Sequence, residues 1–477
     1  MATKLVDIPI QGGAYQNIDE IQLGPYSPSL YNGYVDEAGV NYIAPGLLEY
    51  CDLSQGASVD GLYWWPKQNV LIIFCNGKVF KQTSSVVGST ATDITGTATG
   101  IQLGTPVTVA DFGDTLYAAN GANVVKITTS TSVDHPDGDC PTNVTHVVAM
   151  DSYLLTLSTD GYVNFSQVGD PDSFDPLDFF SAVKKPDLST AIKLAWSELI
   201  VTGEESFEVW RDDGSTPFVP NDNAYVETGV IAPYSLKLVD NAWHFIDQRG
   251  RLVRVENRVP KVVSRPMDKI ISQFSSVVDC KVDEILVEGR PFLILHFPTA
   301  GRTLAYDYSV GDSNGWSEWA AWDSGSSSYE RWYGNCAAFS PDWGYQLVGD
   351  YRNSKVYIVS PDYSDNNGTT LRWARRTGSL DYGTDNRKSS YGLRVRLKKT
   401  DTDTPPTLVV RFRDDGSTTW SDDIDVPMGY DGDTHYLARI DGPLGHYTTR
   451  QWEFVISDNT GVTIASAREL VDMNDGY

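Results

Sequence analysis

Seven times along this chain, two apolar, strand-like runs meet at a short polar turn, at an interval of roughly 40 to 50 residues. The first case is LIIFCNGKVFK (71–81), where Asn76-Gly77 separates an apolar run from an alternating one. Asn-Gly suits a type I′ turn, because both central residues take positive φ and the turn's twist matches the strands it joins. The other turns fall at Asn120-Gly121, Asp160-Gly161, near Glu204, at Arg249-Gly250, at Ala300-Gly301 and near Asn353. Such an interval is the period of a four-stranded propeller blade with the hairpin at its middle. The spacing predicts an all-β chain: a β-propeller of six or seven blades over 20–362, after an N-terminal arm over 1–20. A barrel or stacked sandwiches would also repeat hairpins in this way.

Residues 83–105 are rich in Ser, Thr and Gly and read as a long loop or extended arm, or as a decorated blade edge. At Asp365-Asn366-Asn367-Gly368 the pattern breaks in a polar, turn-prone linker. Beyond it, LRVRLK (393–398), LVVRFR (408–413) and WEFVI (452–456) alternate with period two. They predict an additional C-terminal antiparallel β-sheet or sandwich domain over 370–477. The composition agrees, since 12% aromatic residues and 41 glycines suit pleated surfaces and turns.

The net charge of −26 excludes a nucleic-acid binder that works by neutralising phosphate, which needs a basic surface. The five cysteines, Cys51, Cys75, Cys140, Cys280 and Cys336, are scattered, odd in number and without a CxxC pair, so free thiols are expected. MATKLVDIPI lacks the apolar core of a signal peptide, and no window approaches the ~20 apolar residues of a membrane helix. A soluble protein made inside a cell is expected.

RDDGST occurs twice, at 211–216 and 413–418, each time after an alternating strand. Asp and Gly there are turn residues, Asp bonding local backbone and Gly supplying positive φ. RDDGSTTW is similar to the Asp-box turn of sialidase-type propellers, but three residues separate Gly416 from Trp420, where that motif has two. Gly311-Asp312-Ser313-Asn314-Gly315 matches GxSxG, yet aromatic, strand-like sequence follows it instead of a helix, so a hairpin turn is expected and Ser313 is not a nucleophile. His135, His146, His244, His296, His435 and His446 form no metal-binding pair, and His244 and His296 sit in strand-like runs. Asp401-Thr402-Asp403 and Asp431-Gly432-Asp433 could hold calcium, but neither has the 12-residue loop ending in Glu. No phosphate loop, zinc set or dinucleotide fingerprint is present. The expectation is no catalytic residue, no cofactor and no metal: a protein that works by presenting surfaces.

VGDPDSFDPLDFFSAVKKPD (168–187) resembles a segment of the packaged-DNA stabilisation proteins of short-tailed bacteriophages, the tail hub or nozzle family. ELIVTGEESFEVWRDDGSTPF (198–218), ETGVIAPYSL (227–236), HFPTAGRTLAYDYSVGDSNGWSEW (296–319) and LVGDYRNSKVYIVSPDYSDNNG (347–368) follow in the family's order. The resemblance covers about 150–370; before it, only APGLLEY (44–50) is similar to a Pro-Gly-Leu entry segment. It implies a structural virion protein, made in the host bacterial cytoplasm. Such a protein forms a ring, a hexamer, below the portal and adaptor of a podovirus tail. The ring would extend and close the DNA channel, retain packaged DNA and give a platform to needle, fibres or tailspikes, with DNA passing unbound during ejection. The resemblance brings no enzymatic residues. The alternatives are a carbohydrate-binding or glycan-cleaving β-propeller and a host-type propeller scaffold.

Overall fold

The computed structural model describes residues 3–214, 217–400, 404–430 and 432–473. Among them the only α-helix is a single turn, Asp268–Ile271. Six blades each consist of four consecutive strands paired antiparallel in sequence order. Their innermost strands are Val59–Trp65, Thr108–Asp111, Val144–Met150, Ser189–Ala195, Lys237–Val239 and Lys281–Val287. A seventh, composite sheet closes the ring. Gly334–Ser340, Tyr345–Asp350 and Lys355–Ser360 take Gly46–Asp52 as their fourth strand, in register from Lys355↔Asp52 to Ser360↔Gly46. Gly334–Ser340 then packs beside Val59–Trp65 of the first blade. Joining two distant parts of the chain within one sheet closes the ring without covalent help and removes an exposed edge.

All seven predicted turns lie between the second and third strands of their sheets. At the first, Cys75 pairs with Lys78 and the two residues between have φ of 54° and 70°, as a type I′ turn requires. The 83–105 segment is a decorated edge: Thr92–Asp93 is the outer strand of the first blade, and Ile94, Ala98 and Ile101 pack into the core shared with the second.

Outside the propeller, two sheets face each other as a sandwich. One has Lys388–Lys399 at its centre, between Val462–Met473 and His435–Asp441. The other runs Trp373–Arg376, Arg450–Ile456, Thr407–Asp414, Ile424–Pro427. Leu393, Val395, Leu397, Leu408, Val410, Trp452, Phe454 and Ile464 fill the space between them, in one core with Leu293, Leu295, Leu304 and Trp316 of the sixth blade.

The first 45 residues differ from the expected arm and propeller start. Lys4–Ile8 pairs with Val462–Met473, and Gly33–Val35 and Asn41–Ile43 extend the same sheet. Leu30–Tyr31 bridges the sixth blade's outer strand, Trp316–Glu318, and Trp373–Arg376. Thus the first propeller strand is Gly46–Asp52, and the segment before it belongs with the C-terminal sheets. Buried Arg375 fastens it there, donating to Asn41 Oδ1 at 2.9 Å, Gly12 O at 2.7 Å and Pro25 O at 2.9 Å.

Candidate functional site

The innermost strands surround one central cavity of about 630 Å³. Its two sides differ in chemistry. Lys193, Lys237, Lys281 and Asp283 line the side formed by the fourth to sixth blades. Leu62, Trp64, Val107, Val109, Ala338 and Phe339 line the opposite side. Burial pushes Lys193 down to about 8, helped by Lys237 beside it and opposed by Asp283. Burial likewise pushes Lys281 down to about 8, with Arg331 adding to the effect. Asp283 is raised by burial and held back by Lys237, Lys281 and Lys193, so one carboxylate senses all three amines. Asp60 is also raised by burial, against the Ser58 hydroxyl at 2.6 Å and the Gly104 N–H at 2.9 Å.

Around this column the polar groups are mostly fixed. Asn335 accepts from Lys281 Nζ and from Arg331 Nη2 (2.9 Å), and donates to Val59 O at 2.8 Å. The Arg331 guanidinium lies 4.5 Å from the Tyr351 ring centroid. His296 stacks on Trp332, its Nε2 3.6 Å from Asp283 Oδ2, and His146 stacks on Tyr234 at 5.0 Å. Burial holds His146 neutral, pushed down to about 3, and His296 well below the usual range. The Cys336 thiol is pushed up by burial and is no nucleophile. The cavity therefore offers charge and shape, with no nucleophile–base pair.

The motifs singled out in the sequence lie elsewhere. In the first RDDGST, Asp212 Oδ1 accepts from Gly214 N–H at 2.8 Å and Gly214 has φ of +75°; its Ser215 and Thr216 lie outside the described residues. In the second, Asp415 and Gly416 have φ of 51° and 74°, and Asp415 Oδ1 accepts from the N–H groups of Thr448 and Thr449. Both are turns, but the second is also a structural anchor. Asp414 accepts from Arg450 Nε at 2.7 Å and Nη2 at 2.8 Å, and Arg450 is wholly buried against Phe412 and Tyr447. Trp420 faces the guanidinium groups of Arg376, Arg411 and Arg413 at 5.0–5.5 Å. That arginine cluster is engaged by carboxylates: Glu453 takes Arg376 and Arg411, and Glu20 takes Arg413. GDSNG is the hairpin turn between Arg302–Asp307 and Trp316–Glu318. Asp401, Thr402, Asp403 and Asp431 lie outside the described residues, and Asp433 Oδ2 accepts from Tyr430 N–H. All five cysteines are free. No helix among the described residues is long and apolar enough to cross a membrane.

Sequence reasoning passed over the lysine column. The three lysines recur at equal intervals of 44 residues, a signal that the blade period makes meaningful. It also missed an outer-edge feature. The third blade's last strand, Asp170–Phe180, pairs Phe179 with Asn164 and Phe174 with Ser166, so 175–178 loops outward. Leu177 is 82% exposed there, near exposed Tyr162 and Phe179, whose rings meet at 5.0 Å. Residues 46–230 hold 24 Asp and Glu against 8 Lys and Arg, whereas 231–280, the fifth blade, hold 5 against 8.

The fold has weak likenesses among solved structures. These include the WD40 β-propeller domain of Doa1 (12% identity, 66% of this chain and 97% of that one, TM-score 0.42). Another is the extracellular domain of the putative hybrid two-component system BT4673 from B. thetaiotaomicron (11% identity, 66% and 39%, TM-score 0.44). A third is the computationally designed Ika8 protein (11% identity, 65% and 99%, TM-score 0.35). No curated protein matches the sequence. The phage stabilisation family, described as bacteriophage P22 Gp10, beta-propeller, matches residues 31–364, from the strand that bridges into the C-terminal sheets to the end of the composite closing sheet. The chain belongs to that family of phage DNA-stabilisation β-propellers, a family of phage tail proteins.

Proposed function

We propose that this protein is a structural ring component of a phage tail. In this reading six copies assemble below the portal and adaptor, extend and close the DNA channel, retain the packaged genome and give a platform to needle, fibres or tailspikes. Family membership over 31–364 carries the reading. The one-sided charge supports it. If blades 1–4 face the channel, the 22 carboxylates of 59–230 against 8 basic residues repel DNA phosphate, and the genome passes without sticking. The edges support it too. A closed ring needs head-to-tail contacts between unlike surfaces. The apolar third-blade edge, with exposed Asp170 and Asp175, is complementary to the fifth-blade edge, with exposed Arg258 and Val259.

Negative-stain microscopy and light scattering of the purified chain mixed with assembled portal–adaptor complex test this. A closed ring seated on the adaptor is expected. A strict monomer in the presence of that complex overturns the ring. Lysines introduced on blades 1–4 should slow DNA ejection more than the same number introduced on the sandwich, with the difference fading as salt shortens the Debye length below about 8 Å. Equal rates would remove the charge argument and leave the ring standing.

A further inference from the structure

The central cavity holds more positive charge than its own contacts use. Lys193 and Lys237 line it near Asp283 and make no hydrogen bond or close ion pair among the described residues. They occupy matching rungs of adjacent blades: Lys193 pairs with Ile200 and Lys237 with His244, each two residues before the last pair of its strand. On the sixth blade Lys281 and Asp283 also line the cavity, six and four residues before the last pair of their strand. Across the cavity, Trp64 is 7% exposed and its indole N–H has no hydrogen-bond partner. A protein of net charge −26 thus places three ammonium groups around one cavity against two carboxylates, Asp283 beside them and Asp60 on the first blade, with a largely apolar side opposite. Clustered cations with unmet donors favour an anion, and an apolar side favours a hydrophobic body attached to it.

We propose that the propeller's central cavity binds a small organic oxoanion, a phosphate monoester or carboxylate with an apolar body. Lys193 and Lys237 hold the oxoanion, and Leu62, Trp64, Val109 and Phe339 receive the body. The site belongs to a single chain and does not depend on ring assembly. Asp283 is the resident counter-charge that the oxoanion must share the lysines with, and Asp60 stays engaged by Ser58 and Gly104. Of the other titratable groups around the cavity, His146, His296 and Cys336 are held neutral by burial, and Arg331 is tied to Asn335. An anion beside Lys193 stabilises its charged form, so binding above its folded-state range must draw in protons.

The test is isothermal titration of the full chain with phenyl phosphate, with inorganic phosphate and benzyl alcohol as the two halves of that probe. Phenyl phosphate should bind more tightly than either half. K193Q/K237Q should weaken it about tenfold or more, a change of ~1.4 kcal/mol or above. Should that variant not fold, proton uptake by the native chain decides: heats measured near pH 9 in two buffers of different ionisation enthalpy should show net uptake. No binding of phenyl phosphate, binding unchanged by K193Q/K237Q, or binding without proton uptake overturns the assignment.

Discussion

Arg450 is the residue whose loss the structure prices most clearly. Its side chain and that of Glu469 are both 0% exposed, with Nη1 and Oε1 3.3 Å apart. Asp414 receives two further bonds from it and Leu444 O a third at 2.7 Å. Glu469 Oε2 in turn accepts from the hydroxyls of Tyr382 and Tyr447, both at 2.7 Å. R450M removes the cation and keeps the volume. Asp414, with a side chain 25% exposed, recovers water. Glu469 cannot, and a buried carboxylate stripped of its ion-pair partner costs ~3–5 kcal/mol. E469Q alone leaves Arg450 paired to Asp414 and should cost less. The double variant R450M/E469Q contains no uncompensated charge, so it should be more stable than the summed single losses by ~1–3 kcal/mol. Denaturant unfolding followed by intrinsic fluorescence reads the stability change, and Trp452, one of 13 tryptophans, has its ring 5.2 Å from the guanidinium. The midpoint should move with little change in slope. Additivity within ~0.5 kcal/mol, or a cost for R450M below ~1 kcal/mol, would refute the account of a charge-locked sandwich.

Two other outcomes follow from the same kind of reasoning. G416V forces a β-branched residue to φ of +74° in open space and should cost ~1–2 kcal/mol, whereas D212N keeps the acceptor that bonds Gly214 N–H and should stay within ~0.5 kcal/mol; equal costs in chemical denaturation would sink the turn reading of RDDGST. His146 and His244 are pushed by burial from 6.5 to about 3 and about 4, so the unfolded chain takes up protons first and stability is lost as pH falls below ~6.5, by ~2–3 kcal/mol per histidine near pH 4; H146N should flatten that slope, and a wild-type midpoint constant from neutral pH to pH 4 would be inconsistent with neutral buried imidazoles. Asp60, Asp283 and Glu318, raised by burial, act in the opposite sense just above the ordinary carboxylate range, since there the folded chain takes up protons first.

The middle of each blade was legible in the sequence and its flanks were not, for a physical reason. The second and third strands are joined by a turn of a few residues, so their pairing is written locally as apolar run, turn residues, apolar run. An outer strand such as Val219–Pro220 or Thr92–Asp93 is two residues long, leaving no period to detect. The closing pair Lys355–Ser360 with Gly46–Asp52 joins residues about 300 positions apart, and Lys4–Ile8 with Val462–Met473 joins the two ends of the chain. Such pairings are selected by the sheet that awaits them, and the strands involved look like any other apolar segment. The first 45 residues carry no such local signal, and Arg375 and the open edge of Val462–Met473 decide where they go.

Charge behaved differently, and the contrast bears on function. The total of −26 was visible at once, but a total is blind to arrangement. Only the fold turns the stretch 59–230 into four adjacent blades, and so turns an acidic composition into an acidic side of the molecule. The same fold brings Lys193, Lys237 and Lys281 from three blades to one cavity, where burial lowers the affinity of Lys193 and Lys281 for protons, with Lys237 adding to it at Lys193 and Arg331 at Lys281. Even so, those lysines carried a readable mark, because their 44-residue interval falls within the roughly 40 to 50 residues that separate successive hairpin turns. Lys193 and Lys237 occupy matching rungs of adjacent blades, so each has a neighbour of its own kind, while Lys281 lies further from the turn end of its strand. Repeated like charges inside a closed ring raise the energy of the empty fold, and the fold has no structural need of them when an apolar residue could fill each position. Their persistence in three successive blades is what makes a ligand of opposite charge the economical explanation for the cavity.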